Sequence, residues 1–236
     1  MQFSQPYESP ALREAIGPAL RPGGLHLTER AARYCNLAPG EQVLDVGCGT
    51  GTTAAFLEGR FGVLAVGIDF STQLMTEARK GRPSLPLVRG DGACLPFAPG
   101  RFAAVFCECV LSLLENRQAA LTEFHRVLRP GGYLVVSDLY RCAGGATNTE
   151  LWPDARGCLK GMMPRENLER LLDAAGFGIC LWEDQSEHLK ALAAQLVWHG
   201  IRTQDLWGIA CMPDGGMHGW PGYALLVGCK RNSPHG

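Results

Sequence analysis

The chain has 236 residues, 46% of them hydrophobic and 19% charged, with a formal net charge of −1. That length suits one α/β domain with a full core. The near-neutral charge, with no lysine- or arginine-rich run, excludes a polyanion-binding surface, so nucleic acid is not an expected partner.

In chain order, residues 1–40 read as a helical cap. Residues 11–20 form one expected helix, Pro22-Gly23-Gly24 break it, and Thr28 is the expected N-cap of a second helix reaching about residue 36. From residue 41 to 236 the pattern is strand–turn–helix, with an insertion at about 184–222. Strands are expected at 42–46, 63–68, 85–89, 102–106 and 133–137, with helices at 52–60, 71–80 and 118–128 between them. The last helix carries Leu121, Phe124, Val127 and Leu128 at helical spacing. A helix at 166–175 and strands at 179–183 and 223–230 follow, with a helix near 188–199 in the insertion. Alternating strands and helices imply a mostly parallel sheet covered on both faces, with ligand at the carboxyl ends of the strands.

Three strand ends carry candidate chemistry. The first is Asp45-Val46-Gly47-Cys48-Gly49-Thr50-Gly51. Its glycines let the backbone approach a nucleotide closely. A dinucleotide fingerprint would need glycine at 52, where the chain has Thr52, so a nicotinamide oxidoreductase is disfavoured. The second is Asp69, placed to accept from both hydroxyls of a ribose. The third is Asp91 with Gly92: a carboxylate to accept from an adenine amino group and an amide to donate to a ring nitrogen.

These stretches, with Leu95-Pro96-Phe97 and Leu128-Arg129-Pro130-Gly131-Gly132, resemble the class I S-adenosylmethionine-dependent methyltransferases over roughly residues 40–140. Within them the chain is most similar to the subgroup of quinone-biosynthesis C-methyltransferases. The resemblance implies a Rossmann-like seven-stranded sheet with one antiparallel strand among the last two. It implies S-adenosyl-L-methionine as cofactor and a small-molecule substrate. Gly47, Gly49 and Gly51 would border the methionine and ribose, and Asp45 would reach the amino group through water. Asp69 would hold the ribose hydroxyls, Phe70 would pack on adenine, Asp91 and Gly92 would bind adenine, and Cys107 would offer its carbonyl to the methionine amine. The chain departs from the subgroup at Ala103 and in Val110-Leu111-Ser112-Leu113-Leu114, which lacks histidine.

Methyl transfer needs alignment and a dry site more than a fixed catalytic group. Glu108 is the candidate to orient a substrate or accept a proton, with Tyr140, Arg141 and Cys142 near the same mouth and His26 in the cap. Residues Leu151-Trp152, Gly157-Cys158-Leu159 and Ala174-Ala175-Gly176-Phe177 are similar to part of the arsenite methyltransferases, which bind trivalent arsenic through thiolates. That makes Cys158 a second catalytic candidate, with Cys211 and Cys229 as possible companions on a soft element. None of the ten cysteines is spaced Cys-x-x-Cys, so no structural zinc or other metal site is expected. A further alternative is a non-catalytic S-adenosylmethionine-binding sensor or scaffold. The late loop 211–222 is a candidate lid. The chain start lacks a basic, then apolar, leader, and no apolar run approaches ~20 residues, so a cytosolic protein off the membrane is expected.

Overall fold

The computed structural model describes residues 8, 12–13, 17, 19, 21–142, 155–202 and 221–231. The elements are α1 (Gly24–Tyr34), β1 (Gln42–Val46), α2 (Thr52–Phe61), β2 (Leu64–Asp69), α3 (Thr72–Gly81), β3 (Leu87–Arg89), β4 (Phe102–Glu108), α4 (Arg117–Val127), β5 (Leu128–Arg141), α5 (Gly157–Gly161), β6 (Met163–Pro164), α6 (Arg165–Ala174), β7 (Phe177–Asp184), α7 (Ser186–Trp198) and β8 (Pro221–Lys230). A 3-10 turn, Leu111–Leu113, follows β4.

The sheet runs β3-β2-β1-β4-β5-β8-β7, and the two-residue β6 also pairs with β5. Among the described residues it therefore holds eight strands, one more than expected, because β6 adds to the seven-strand path. β8 is antiparallel to both β5 and β7, and the remaining pairs are parallel.

β1 and β4 lie at the centre, and every residue of β4 is buried. Side chains alternate across such a strand. Leu44, Val46, Val105 and Cys107 face one core with α4 and α6 residues such as Phe124 and Leu172. Val43, Ala104 and Phe106 face the other, with Ala31 and Ala32 of α1 and Leu57 of α2. This alternation decides which strand-end side chains meet at the site. A third apolar cluster joins Leu27 of α1, Leu139 of β5, Cys158 and Leu159 of α5, Leu189 and Leu192 of α7, and Tyr223 of β8.

Two strands outrun their expected ends. β4 continues through Glu108, and β5 spans Leu128–Arg141, because pairing with β8 from Tyr133 to Arg141 holds it extended. The first helix starts earlier than expected. Gly23 and Gly24 both take positive φ and turn the chain into α1, so Thr28 lies inside the helix, fully buried, and does not cap it. Of the expected helix at 11–20, Leu12 and Arg13 are helical and most of the remainder is outside the described residues, as is the loop 211–220.

Candidate functional site

One cavity opens at the carboxyl ends of β1, β2 and β4. It runs from Asp69, Phe70 and Asp91 past the glycine turn to Arg21, Glu108 and Cys109. The turn after β1 shapes it. Gly47 has φ 70 and Gly49 φ 53, left-handed values that favour glycine. At Gly47 there is also no room, since a Cβ would overlap Val110 Cγ2. Gly51 does something different from the expectation. It does not line the cavity, and its φ of 75 turns the chain into α2 while a Cβ would lie 2.6 Å from Leu85 Cδ2. Its place is in packing behind the turn.

Asp69 ends β2 and is 7% exposed. Its carboxylate accepts from Gly49 N at 2.8 Å and Ser71 N at 2.8 Å, which ties the glycine turn to the start of α3. Burial raises its pKa, and these amide hydrogen bonds oppose the rise. Each carboxylate oxygen keeps lone-pair capacity toward the cavity. Asp91 is exposed at the same end and accepts from Ala93 N at 2.9 Å, while Gly92 beside it is buried. Phe70 leaves its ring 59% exposed at the rim.

On the other side of the glycines stands a buried polar row. Asp45 pairs with Phe106 in register, and Glu108 with Ser137. Side-chain alternation therefore puts Asp45, Glu108 and Ser137 on the α1–α2 face, and Tyr223 joins them from β8. Glu108 is not the free carboxylate expected from sequence. Arg21 Nη2 lies 2.7 Å from its Oε2, Thr28 Oγ1 donates to Oε1 at 3.0 Å, and Thr53 Oγ1 donates to Oε2 at 3.1 Å. Both oxygens are occupied, so in this arrangement Glu108 is an anchor for α1 and α2 and not a waiting base. Cys107, one residue earlier, points to the α4 face and does not reach the cavity, because β4 runs on and delivers Glu108, Cys109 and Val110 instead.

Asp45 is 3% exposed. It accepts from the Ala54 amide in the first turn of α2, while its Oδ2 has no partner. Burial, then the charge of Glu108, raises its pKa well above the ordinary carboxyl range; Arg21 opposes the rise. Cys109 has φ 55, a strained value for a side-chain-bearing residue, and its Sγ lies 3.2 Å from Tyr223 Oη. Tyr223 in turn donates to Ser137 Oγ at 3.1 Å. Burial, then Asp138 and Cys158, pushes the Cys109 thiol up, so it stays protonated at neutral pH.

Cys158 sits on the short α5, 5% exposed within the third apolar cluster, and does not line the cavity. Cys229 pairs with Tyr133 at the opposite end of β5, so it cannot join Cys158. Cys211 is outside the described residues. Among the described residues no group of three His, Cys, Asp or Glu side chains is placed to hold a metal ion. His26 faces His188, with ring centroids 6.0 Å apart. The sequence assigns Arg21, Thr53 and Tyr223 no role at the site and reads Thr28 only as a helix cap. They meet Glu108 and Cys109 only through tertiary contacts, and the buried row of strand-end polar residues is the one local sign of them.

The cavity suits a ligand with an ammonium group at one end and a ribose at the other: an orphaned carboxyl oxygen, glycine walls, then a second buried carboxylate. Residues 44–136 match the methyltransferase domain family. A demethylmenaquinone methyltransferase of Beutenbergia cavernae is 47% identical over 181 residues, 72% of this chain and 70% of that protein. An arsenite methyltransferase of Halobacterium salinarum is 30% identical over 152 residues, covering 61% of this chain and 39% of that one. In fold the chain is similar to the [4+2]-cyclase SpnF, with TM-score 0.76, 24% identity and coverage of 98% and 96%. It is similar too to phosphoethanolamine N-methyltransferase 2 of Haemonchus contortus, solved with S-adenosyl-L-methionine, with TM-score 0.74, 17% identity and coverage of 94% and 56%. The chain belongs to the S-adenosylmethionine-dependent methyltransferases, an enzyme whose cofactor is S-adenosyl-L-methionine.

Proposed function

We propose that this methyltransferase acts on a small, largely apolar organic acceptor that arrives as its own nucleophile, in the manner of a demethylmenaquinone-like quinol. The observation that carries this reading is the engagement of Glu108 by Arg21, Thr28 and Thr53. With that carboxylate taken and the Cys109 thiol held protonated, the cavity's far end offers no ready base among the described residues. A quinol ionised at one hydroxyl attacks through its adjacent ring carbon, and the carbon–sulfur bond of the methyl donor breaks as the carbon–carbon bond forms. The ring C–H proton then leaves to solvent as the ring becomes aromatic again, so both protons can pass to solvent. Val110, Leu113 and Leu114 give that part of the cavity apolar walls. The relationship to the Beutenbergia cavernae enzyme supports the same acceptor class.

In this reading Asp69 holds the ribose hydroxyls, Asp91 and Gly92 take adenine, Phe70 covers it, and Gly47 and Gly49 border the methionine portion. Asp45 takes the amino group. When bound, the cofactor supplies an electrophilic methyl group on sulfur. The chain's own contribution is alignment and exclusion of water. A cytosolic setting fits the nine cysteines of the described residues, all of them free thiols.

A metalloid acceptor is the less supported reading, because Cys158 and Cys229 do not converge. The test is formation of S-adenosylhomocysteine with reduced demethylmenaquinone analogues and, separately, with arsenite plus thiol. Quinol-dependent turnover is expected. Arsenite-dependent turnover that disappears in Cys158→Ser, with none on quinols, would overturn the proposal.

A further inference from the structure

Two buried side-chain atoms stand without a hydrogen-bond partner among the described residues: Arg21 Nε and Asp45 Oδ2. Both residues line the same cavity, and they are 9% and 3% exposed. The two atoms are complementary. One is an N–H donor on a guanidinium; the other is an acceptor on a carboxyl. The rest of each group is already committed. Arg21 Nη1 donates to Ala19 O at 3.3 Å, and Nη2 serves Thr28 and Glu108. Asp45 meets the Ala54 amide. What remains open on each meets no hydrogen-bond partner among the described residues.

Such a pair of orphans is costly and is resolved by a ligand with both an anion and a cation. An α-amino acid end has both on one carbon. From the Asp45 assignment and the cofactor it follows that a carboxylate must lie close to the ammonium, and Arg21 holds the free donor nearby. We propose that Arg21 binds the α-carboxylate of S-adenosylmethionine through Nε–H, opposite Asp45, so that this pair reads the amino acid portion as a zwitterion. Glu108 and Thr28 hold the guanidinium in place for that contact. The site then discriminates by a directed hydrogen bond, since the ion pair with Glu108 balances the net charge of Arg21. The inference rests on Asp45 taking the amino group, so its test separates the two ends of the ligand.

The test is calorimetric titration with S-adenosylhomocysteine and with its decarboxylated analogue, which keeps the amine and loses the carboxylate. Wild-type protein is expected to bind the intact ligand about 10- to 100-fold more tightly, the range for a hydrogen bond to a charged group. In Arg21→Gln the two affinities should fall within about threefold of each other, through a larger loss for the intact ligand. Arg21→Lys keeps an ion partner for Glu108 while removing Nε–H, and should compress the difference in the same direction even if Arg21→Gln does not fold. Asp45→Asn should weaken both ligands alike. Equal binding of the two ligands by wild-type protein would overturn the proposal without touching Asp45. So would an Arg21→Lys variant that keeps the full wild-type preference, or one that weakens both ligands equally.

Discussion

Arg21 Nη2 sits 2.7 Å from Glu108 Oε2, with side chains only 7% and 2% exposed. This buried ion pair joins the segment before α1 to the end of β4 and, through Thr53, to the first turn of α2. It fixes the wall of the cofactor cavity with residues far apart in sequence.

Removing one partner of such a pair leaves an uncompensated buried charge. Glu108→Ala should therefore cost about 3–5 kcal/mol of stability, whereas the double replacement Arg21→Met with Glu108→Leu should recover most of it. Urea unfolding measures both. A loss below about 1 kcal/mol in Glu108→Ala would place the pair among weak surface bridges instead.

Asp45 titrates differently with and without cofactor. Burial and Glu108 raise its pKa in the folded protein, so its ionisation opposes folding; that contribution to stability is full below the unfolded pKa and is lost as pH rises through the folded value. An ammonium beside it favours the ionised form and lowers the pKa again. Binding of S-adenosylhomocysteine should then release a proton at pH below the free-protein pKa, and affinity should rise with pH toward a plateau. Calorimetry in buffers of different ionisation enthalpy detects the proton. In Asp45→Asn that release should vanish.

Gly47→Ala should lose cofactor binding, because the added Cβ overlaps Val110 and φ 70 strains alanine. Gly49→Ala meets only Leu74 Cδ1 at 3.9 Å, so backbone strain of roughly 1–2 kcal/mol is its main cost. Adding Val110→Ala should relieve the overlap in Gly47→Ala and leave the strain. Thermal shift with and without S-adenosylhomocysteine distinguishes the two variants.

Gly161 packs directly on the Ser112 carbonyl, which also accepts from Arg117 Nη2 at 2.9 Å. Ser112 is held in turn by Asp138, whose carboxylate accepts from the Ser112 amide at 2.8 Å and hydroxyl at 2.7 Å. Gly161→Ala must push α5 away from the turn that carries Leu113 into the cavity. A loss of about 1–3 kcal/mol in unfolding, the usual cost of overpacking, is expected, with a weaker acceptor KM. Wild-type stability in Gly161→Ala would show that α5 is not docked there.

The strand-end carboxylates and glycines that line one part of the cavity are legible in the sequence because their signals are local. Asp45 lies within one short apolar run, Asp69 ends a second, and Asp91 follows a third after Arg89-Gly90, while the glycine turn begins two residues past Asp45. The polar row was not legible, because Thr28 meets Glu108 across 80 positions and Thr53 meets it across 55. Thr28 looked like a helix cap since threonine favours that place, but two glycines turned the chain first and Glu108 recruited the hydroxyl. Cys107 stays out of the cavity lining for a related reason. Strand ends are set by partners, and β1 and β5 carry β4 past the last residue of its apolar run. Gly51 shows the limit of reading a glycine triplet: the same residue type serves close approach at Gly47 and packing behind the turn here.

The central claim is that this cavity holds S-adenosylmethionine with its ribose on Asp69. Titration of wild-type and Asp69→Ala protein with S-adenosylhomocysteine tests it most directly. Saturable binding by wild type is predicted, weakened about 10- to 100-fold in the variant through the loss of charge-assisted hydrogen bonds to the ribose. No binding by the wild type, or equal binding by both proteins, would contradict it.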